Sequence, residues 1–178
     1  NFGNLTAGLF AQRMGLPIHH FIAATNINDV VPEYLQRGEY RSRPSKTTIS
    51  NAMDVGNPSN FARMVNLFQE TQADSASEKA AWTPMKTAIS GYGFDDESTR
   101  SAISEVFQKY QYTIDPHGAV GYLALKEYQL NEKGPSKGII LETAHPSKFI
   151  DEVEAATHEP VEIPERLAVL AHLDKQST

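Results

Sequence analysis

The stretch LTAGLFAQRMGLPIHHFIAA, residues 5–24, decides the fold because it predicts a helix, a stop and a strand in close succession. The i, i+3, i+4, i+7 spacing of a buried helix face is met by Ala7, Phe10, Ala11 and Met14. Leu5 and Leu9 form a second apolar stripe, which predicts burial on two sides. Gly15 and Pro17 then end the helix, and residues 20–24 form a short apolar run typical of a buried strand. A helix followed closely by a strand is the rhythm of an α/β fold.

Outward from this stretch, helical and strand-like patterns continue between polar loops. Helical spacing recurs in residues 29–36, 61–68, 96–110 and 116–128, with Asp95 or Asp96 and then Asp115-Pro116 as helix starts. Residues 39–60 read as a long loop, residues 71–93 as partly helical, and residues 137–143 as the best strand of the chain. The pattern predicts an open three-layer α/β/α fold with a mainly parallel sheet.

Composition excludes several classes of protein. The chain has 178 residues, 40% of them hydrophobic, and a net charge of −6 with both signs spread along it, so there is no basic footprint for nucleic acid. No apolar run approaches the roughly 20 residues that cross a bilayer. The absence of cysteine excludes disulfides and thiolate metal sites and agrees with a cytoplasmic protein. The six histidines lack the spacing of metal ligands, so no metal site is expected.

The first four residues, Asn1-Phe2-Gly3-Asn4, lie directly before the first helix. Asn and Gly tolerate left-handed backbone, and a helix start offers free N–H groups and a positive dipole end. Such a turn binds anions, and phosphate is the usual guest. The alternative is a plain helix cap in which Asn4 or Thr6 satisfies the backbone amides.

Several segments together resemble the threonine synthases. The similar segments are residues 1–8, 22–29, 31–32, 50–55, 115–120 and 142–149, in the order and approximate spacing of that family. In the family the first of these segments starts one or two residues earlier, with Ser-Gly. The resemblance covers nearly the whole chain apart from residues 71–93 and the last few positions.

The resemblance implies a fold, a cofactor and a reaction. Threonine synthases are fold-type II pyridoxal-phosphate (PLP) enzymes, related to the tryptophan synthase β subunit, and convert O-phosphohomoserine and water to threonine and phosphate. By this resemblance the phosphate of PLP rests on Asn1, Phe2, Gly3 and Asn4, and Thr143 contacts the pyridine nitrogen. Residues 1–150 would then be the C-terminal part of an incomplete PLP-binding domain, and residues 151–178 a tail packed on it.

The resemblance also implies that a catalytic lysine is missing. None of the nine lysines resembles the family's Schiff-base lysine motif, which lies upstream of the phosphate turn. The chain starts at Asn1 without a Met, so we expect a fragment that lacks its N-terminal half, has no catalytic residue of its own, does not retain PLP and is inactive alone.

Alternatives remain open at this point. The chain is also compatible with a threonine-synthase-like phospholyase, or with a non-catalytic phosphate-binding module. Other polar candidates have two interpretations each. Asn26, Asn28, Asp29, Asn51 and Asp54 either brace loops around the cofactor or simply form turns. His145 either positions substrate or caps a helix. The cluster of Arg41, Arg43 and Lys46 either meets a phosphate or is solvated surface.

Overall fold

A two-stranded parallel sheet lies at the centre of the chain. The computed structural model describes residues 1–69, 78–132 and 136–169. Strand β1, Phe21–Thr25, pairs in parallel with β2, Ile89–Gly93, from Phe21 opposite Ile89 to Thr25 opposite Gly93. The strand predicted at residues 20–24 and the parallel pairing are confirmed. Strand β2 occupies the last five residues of the region interpreted as partly helical, and this strand was not predicted.

Helices surround this sheet. In the described residues they are α1 (Gly3–Arg13), α2 (Val30–Arg37), α3 (Phe61–Gln69), α4 (Glu78–Ala88), α5 (Asp96–Tyr110), α6 (Pro116–Asn131), α7 (Ile150–Thr157) and α8 (Glu165–Ala168). Asp95 caps α5 and Asp115 caps α6 through their side chains, as predicted. Short 3₁₀ turns occupy Asn51–Met53 and Pro146–Phe149. The expected helix in residues 71–93 is α4 in part, and residues 71–77 lie outside the described residues.

Helices cover both faces of the sheet. On one face Gly91 allows α2 to approach closely, since a Cβ there would lie 2.7 Å from the Cα of Pro32. Side chains alternate between the faces of a strand, so Ser90 points to the other face. There Nε2 of His20 lies 2.9 Å from Oγ of Ser90, and the His20 ring stacks on Tyr128 of α6 with centroids 4.8 Å apart. The α/β class with helices on both sides of parallel strands is therefore confirmed.

Two hydrophobic cores stabilise the chain. The first joins the sheet to α1, α2, α3 and α4, with fully buried side chains that include Tyr34, Met64 and Met85. The second joins α5, α6 and α7 around Ile103 and Val153. No helix within residues 1–69, 78–132 and 136–169 is long and apolar enough to cross a membrane.

The two-sided burial predicted for α1 is wrong. Thr6 and Leu9 are buried, but Phe10 is 46% and Met14 87% exposed. Within the described residues the main packing partners of α1 are β1 and α3, and only one of its apolar stripes is covered.

The strand predicted at residues 137–143 is also wrong, because this segment pairs with no strand among the described residues. Its even-numbered residues instead lie along α6. The closest neighbours there are Leu125 for Gly138, Gly121 for Ile140 and Gly118 for Glu142. The period-two pattern is real, but packing against a helix produces it, and Ile139 and Leu141 are left 87% and 61% exposed.

Candidate functional site

The amino-terminal turn (residues 1–4) has the geometry of an uncapped helix start. Phe2 is the N-cap of α1, adopts a left-handed backbone with φ 57° and ψ 27°, and caps nothing with its side chain. Asn4 and Thr6 lie inside the helix, and no described residue forms a hydrogen bond with the buried Thr6 hydroxyl. The alternative of a plain side-chain cap is therefore wrong. The first N–H groups of α1 point out of the helix without an intrahelical acceptor.

Residues at the start of α3 hold the first residue of this turn. The Asn60 side-chain amide donates to the Asn1 carbonyl oxygen at 2.9 Å, and the Ser59 backbone N–H donates to Oδ1 of Asn1 at 3.2 Å. Arg63 donates to Oδ1 of Asn60 at 3.0 Å, which orients the amide so that its nitrogen faces Asn1. The Phe2 ring packs against the first core. The turn is thus held at Asn1 by hydrogen bonds and at Phe2 by packing of the ring.

A buried polar cluster anchors the long loop that leads to α3. We call the side chains of Asn26, Asn28, Thr48, Ser50 and Asp54 the Asn26 cluster. The Asn26 amide donates to Oγ1 of Thr48 at 2.7 Å, to Oγ of Ser50 at 3.1 Å and to Oδ1 of Asp54 at 2.8 Å. Loop bracing and turn formation both apply here, because Asn26 and Asp54 bind across the loop while Oδ1 of Asn26 accepts the Asn28 backbone N–H at 2.9 Å and so forms a turn. The exposed Asn51 takes no part in the cluster.

The cationic residues of the same loop are engaged by carboxylates. Arg43 pairs with both Asp29 and Glu33, and Arg41 pairs with Glu39 at 2.6 Å. The hydrogen bond from Arg43 holds the pKa of Glu33 below its ordinary value. These two arginines are therefore surface ion pairs in this chain rather than a free anion site.

The start of α6 contains a buried His–Asp pair that sequence reasoning missed. Oδ1 of Asp115 lies 2.7 Å from Nδ1 of His117, and Nε2 of His117 accepts the backbone N–H of Ala52 at 3.1 Å. Because Nε2 accepts, the ring proton is assigned to Nδ1 and donated to Asp115. An acidic N-cap with His two positions later is the only signal of this pair in the sequence.

Thr143 is exposed and follows Glu142, whose carboxyl end rests on Gly118 at the start of α6. Burial of this carboxyl and the nearby charge of Asp115 raise the pKa of Glu142 to about 7. Nδ1 of His145 accepts the Ser147 N–H at 3.2 Å and so caps the following 3₁₀ turn. His145 thus has the capping role that was one of its two interpretations.

The amino-terminal turn and Thr143 lie on separate elements, and residues 51–60 connect their surroundings. Ala52 at one end of this segment binds His117 beside Gly118, and Ser59 and Asn60 at the other end bind Asn1. No hydrogen bond of the described residues joins Thr143 to the turn itself. Nor does any group of three or more His, Asp or Glu residues within the described ranges have the geometry to hold a metal.

Comparison with known proteins shows which family this chain resembles. The family model described as "Threonine synthase, C-terminal" matches residues 118–178. Threonine synthase of Escherichia coli K12 is 41% identical over 174 residues, which are 97% of this chain and 37% of that protein. Over nearly its whole length the chain is similar to part of the threonine synthases. It spans a little over a third of the length of this relative, and the match falls in the C-terminal part of the family.

Solved structures of the family have the same fold as this chain. The crystal structure of E. coli threonine synthase superposes with a TM-score of 0.83 over 97% of this chain and 37% of that one. The PLP-bound threonine synthase of Brucella melitensis is 32% identical and superposes with a TM-score of 0.83, covering all of this chain and 41% of its own. The sheet and helices described above therefore belong to a fold that these threonine synthases share.

Proposed function

We propose that this chain forms the C-terminal part of a threonine synthase, in which Asn1, Phe2, Gly3 and Asn4 hold the phosphate of PLP and Thr143 contacts its pyridine nitrogen. The whole enzyme would convert O-phosphohomoserine and water to L-threonine and phosphate. The observation that carries this proposal is the uncapped start of α1. A left-handed Phe2 is pinned there, and helix N–H groups are left without acceptors.

The residues present fit a phosphate group. A dianionic phosphate accepts several N–H bonds at once and is stabilised by the positive end of a helix dipole. Gly3 keeps the approach open, since a Cβ there would meet only the Asn60 side chain, at 3.9 Å. The PLP bound by the B. melitensis relative supports the choice of cofactor.

Thr143 fits a neutral contact with the cofactor ring. When bound, PLP supplies an electron sink for carbanions of the substrate. A threonine hydroxyl donates or accepts a hydrogen bond but cannot hold a proton on the pyridine nitrogen as an aspartate would. Thr143 is exposed in this chain, so its hydroxyl is accessible to a group bound beside α6.

The remainder of the active site would come from other parts of the enzyme. We infer that the covalently attached lysine lies upstream of the amino-terminal turn, so that this chain alone is inactive and its partner is the N-terminal half of the same enzyme. The enzyme would act in the cytoplasm. We also infer that residues 1–150 complete the PLP-binding domain and that residues 151–178 pack on it. Val153, fully buried in the second core, supports this for the described part of that tail.

The role of Thr143 is tested by Thr143→Val in the full-length enzyme. Valine preserves the shape but removes one hydrogen bond, worth about 0.5–1.5 kcal/mol. If the bond is equally strong in ground and transition states, only PLP affinity falls. If it strengthens as charge enters the ring, kcat falls by up to about tenfold. PLP titration and steady-state kinetics separate the two.

Thr143→Ser is the matched control because it restores the hydroxyl, and Thr143→Asp makes the opposite change by favouring a protonated ring nitrogen. The absorption spectrum of bound PLP should shift in the Asp variant. If Val and Asp variants both match the wild type in PLP affinity, spectrum and turnover, the assignment of Thr143 is wrong.

A further inference from the structure

The buried Asp115 carboxylate has one oxygen satisfied and one without a partner. Oδ1 accepts the backbone N–H of His117 at 2.8 Å and faces Nδ1 of the same residue at 2.7 Å. Oδ2 is buried and has no hydrogen-bond partner among the described residues, and Asp115 as a whole is 0% exposed. A buried carboxylate oxygen without a donor is costly, and native structures rarely leave one. The position therefore requires a proton donor.

Glu142 brings a second carboxyl group to the same place. A Cβ on Gly118 would lie 2.0 Å from Oε1 and 2.6 Å from Oε2 of Glu142, so only glycine allows this approach. Although much of the side chain is exposed, its carboxyl end lies against the first turn of α6, three residues past Asp115. The described titratable groups that interact with it are Tyr112 and Asp115, and His117 lies behind Asp115 as its hydrogen-bond partner. None of the ion pairs among the described residues brings a Lys or Arg to Glu142.

The proton belongs on Glu142 rather than on Asp115. Asp115 already accepts a backbone N–H and a ring N–H on Oδ1 at the positive end of a helix, which leaves Oδ2 to accept a further hydrogen bond. Within the part of the chain that the structure describes, no N–H group donates to the Glu142 carboxyl, which faces the Asp115 carboxylate. Two carboxyl groups that share a site cannot both ionise easily, so the less stabilised one keeps its proton.

We propose that Glu142 is a neutral carboxylic acid that donates its proton to Oδ2 of Asp115, and that this hydrogen bond makes Glu142 a positioning residue for Thr143. The bond holds residues 138–142 against α6 and so fixes the position of the next residue, Thr143. The proton comes from solvent, and no other group changes its charge. The part that concerns Thr143 rests on the proposed function, whereas the shared proton does not.

The pair makes this end of the site sensitive to pH. The pKa of Glu142 rises from 4.5 to about 7, first through burial and then through Asp115. Between these values the folded chain binds a proton that the unfolded chain does not, so the stabilisation is complete below pH 4.5 and is lost as pH rises through about 7. Above that pH two carboxylates repel each other, and residues 138–142 loosen from α6.

The experiment compares the full-length wild-type enzyme with Glu142→Gln, which keeps a donor but cannot ionise. Difference infrared spectra follow the carbonyl stretch of protonated carboxylic acids in the PLP-free enzyme. We expect a band that disappears in the wild type with a midpoint near pH 7 and that is missing from Glu142→Gln.

The control is Glu162→Gln, which replaces an exposed glutamate of the same chain and should keep the band. Gly118→Ala should remove it too, because the added methyl displaces the Glu142 carboxyl without changing either acid.

A second measurement addresses Thr143. PLP binding should favour the protonated form of Glu142, in which residues 138–142 are held against α6. If the pKa of Glu142 is one unit higher in the PLP-bound enzyme than in the free enzyme, PLP affinity of the wild type falls about tenfold as pH rises through the transition. Glu142→Gln should bind PLP with little pH dependence. Absence of a Glu142-dependent band overturns the shared proton. A band accompanied by the same pH dependence of PLP affinity in wild type and Glu142→Gln overturns the positioning role only. A wild type that binds no PLP at any pH contradicts the proposed function, and the infrared result still decides the carboxyl pair.

Discussion

At the scale of single residues, Phe2 determines the shape of the proposed phosphate turn. A left-handed backbone is rare for a bulky aromatic residue and costs roughly 1–3 kcal/mol. Such a conformation persists only where the surroundings determine it, and here the ring packs against the first core while Asn60 and Ser59 hold Asn1. The hydrogen bond from Asn60 is therefore part of what keeps the helix N–H groups aimed at one point.

Replacing Asn60 by alanine in the full-length enzyme should weaken PLP binding by about fivefold. The variant loses one neutral hydrogen bond of about 1 kcal/mol to the Asn1 carbonyl, while Arg63 loses its acceptor on the exposed surface. Fluorescence titration with PLP measures the effect. Asn66→Ala, an exposed position on the same helix, is the control. Equal affinity in both variants would show that Asn60 does not position the turn.

The sequence predicted the residue-scale features that depend on near neighbours. Asp95 and Asp115 cap their helices as expected because a cap needs only the next two or three residues. The meeting of Asp115 with Glu142 was not predictable, since it depends on how residues 137–143 lie along α6. The left-handed Phe2 was equally hidden, because propensity disfavours that conformation for an aromatic residue.

At the scale of elements, the Asn26 cluster makes the loop of residues 39–60 a fixed part of the structure. Asn26 is 1% exposed, and its amide donates to several groups on that loop. The loop then carries Ala52 to α6 and Asn60 to the turn. A single buried amide at the end of β1 thereby connects the two halves of the candidate site.

Asn26→Ala should lower the free energy of unfolding by about 2–4 kcal/mol. The change removes several hydrogen bonds at once and leaves the Asp54 carboxylate and the buried hydroxyls with fewer donors. Urea denaturation followed by circular dichroism gives the value. Asn51→Ala, exposed and outside the cluster, should change it by less than about 0.5 kcal/mol. A similar small change for Asn26→Ala would refute the bracing role.

Sequence patterns predicted most elements but failed where packing between distant parts decides the outcome. β1, α5 and α6 were predicted because their patterns are local and strong. β2 was missed because glycine occupies two of its five positions, and glycine disfavours strands on propensity alone. The apolar spacing of α1 predicted two buried faces. A face is buried only where another element packs on it, and the sequence of the helix does not specify that element.

At the scale of the whole molecule, an extended apolar segment lies open beside α6. Ile139 and Leu141 alternate on its outer side and are 87% and 61% exposed, while Ile140 faces the helix. A row of free backbone groups with apolar side chains pairs readily with another strand. We expect the chain expressed alone to self-associate through residues 137–143.

Ile139→Lys should reduce this self-association without loss of stability. A charge on the outer side of the segment opposes pairing between copies and touches neither core. Sedimentation velocity on the isolated chain measures the oligomers, and thermal unfolding measures stability. Ile140→Lys is the matched control. Ile140→Lys should lower stability, because the Ile140 side chain packs closely on α6. A Cβ on Gly121 would lie only 2.9 Å from it, so there is no room for a longer side chain at position 140. If Ile139→Lys associates as strongly as wild type, another surface is responsible.

The parallel pairing of β1 with β2 also means that, during synthesis on the ribosome, β1 emerges well before the strand with which it pairs. Phe21 must wait for Ile89, its partner 68 positions later (89 − 21). At roughly 5–20 residues per second this gap lasts about 3 to 14 seconds. During that interval the nascent strand Phe21–Thr25 lacks its partner β2. Closure of such a long loop delays folding more than it reduces stability. The pairing of β1 with β2 is therefore completed late. Until then, strand β1 is accessible to chaperones that bind nascent chains at the ribosome.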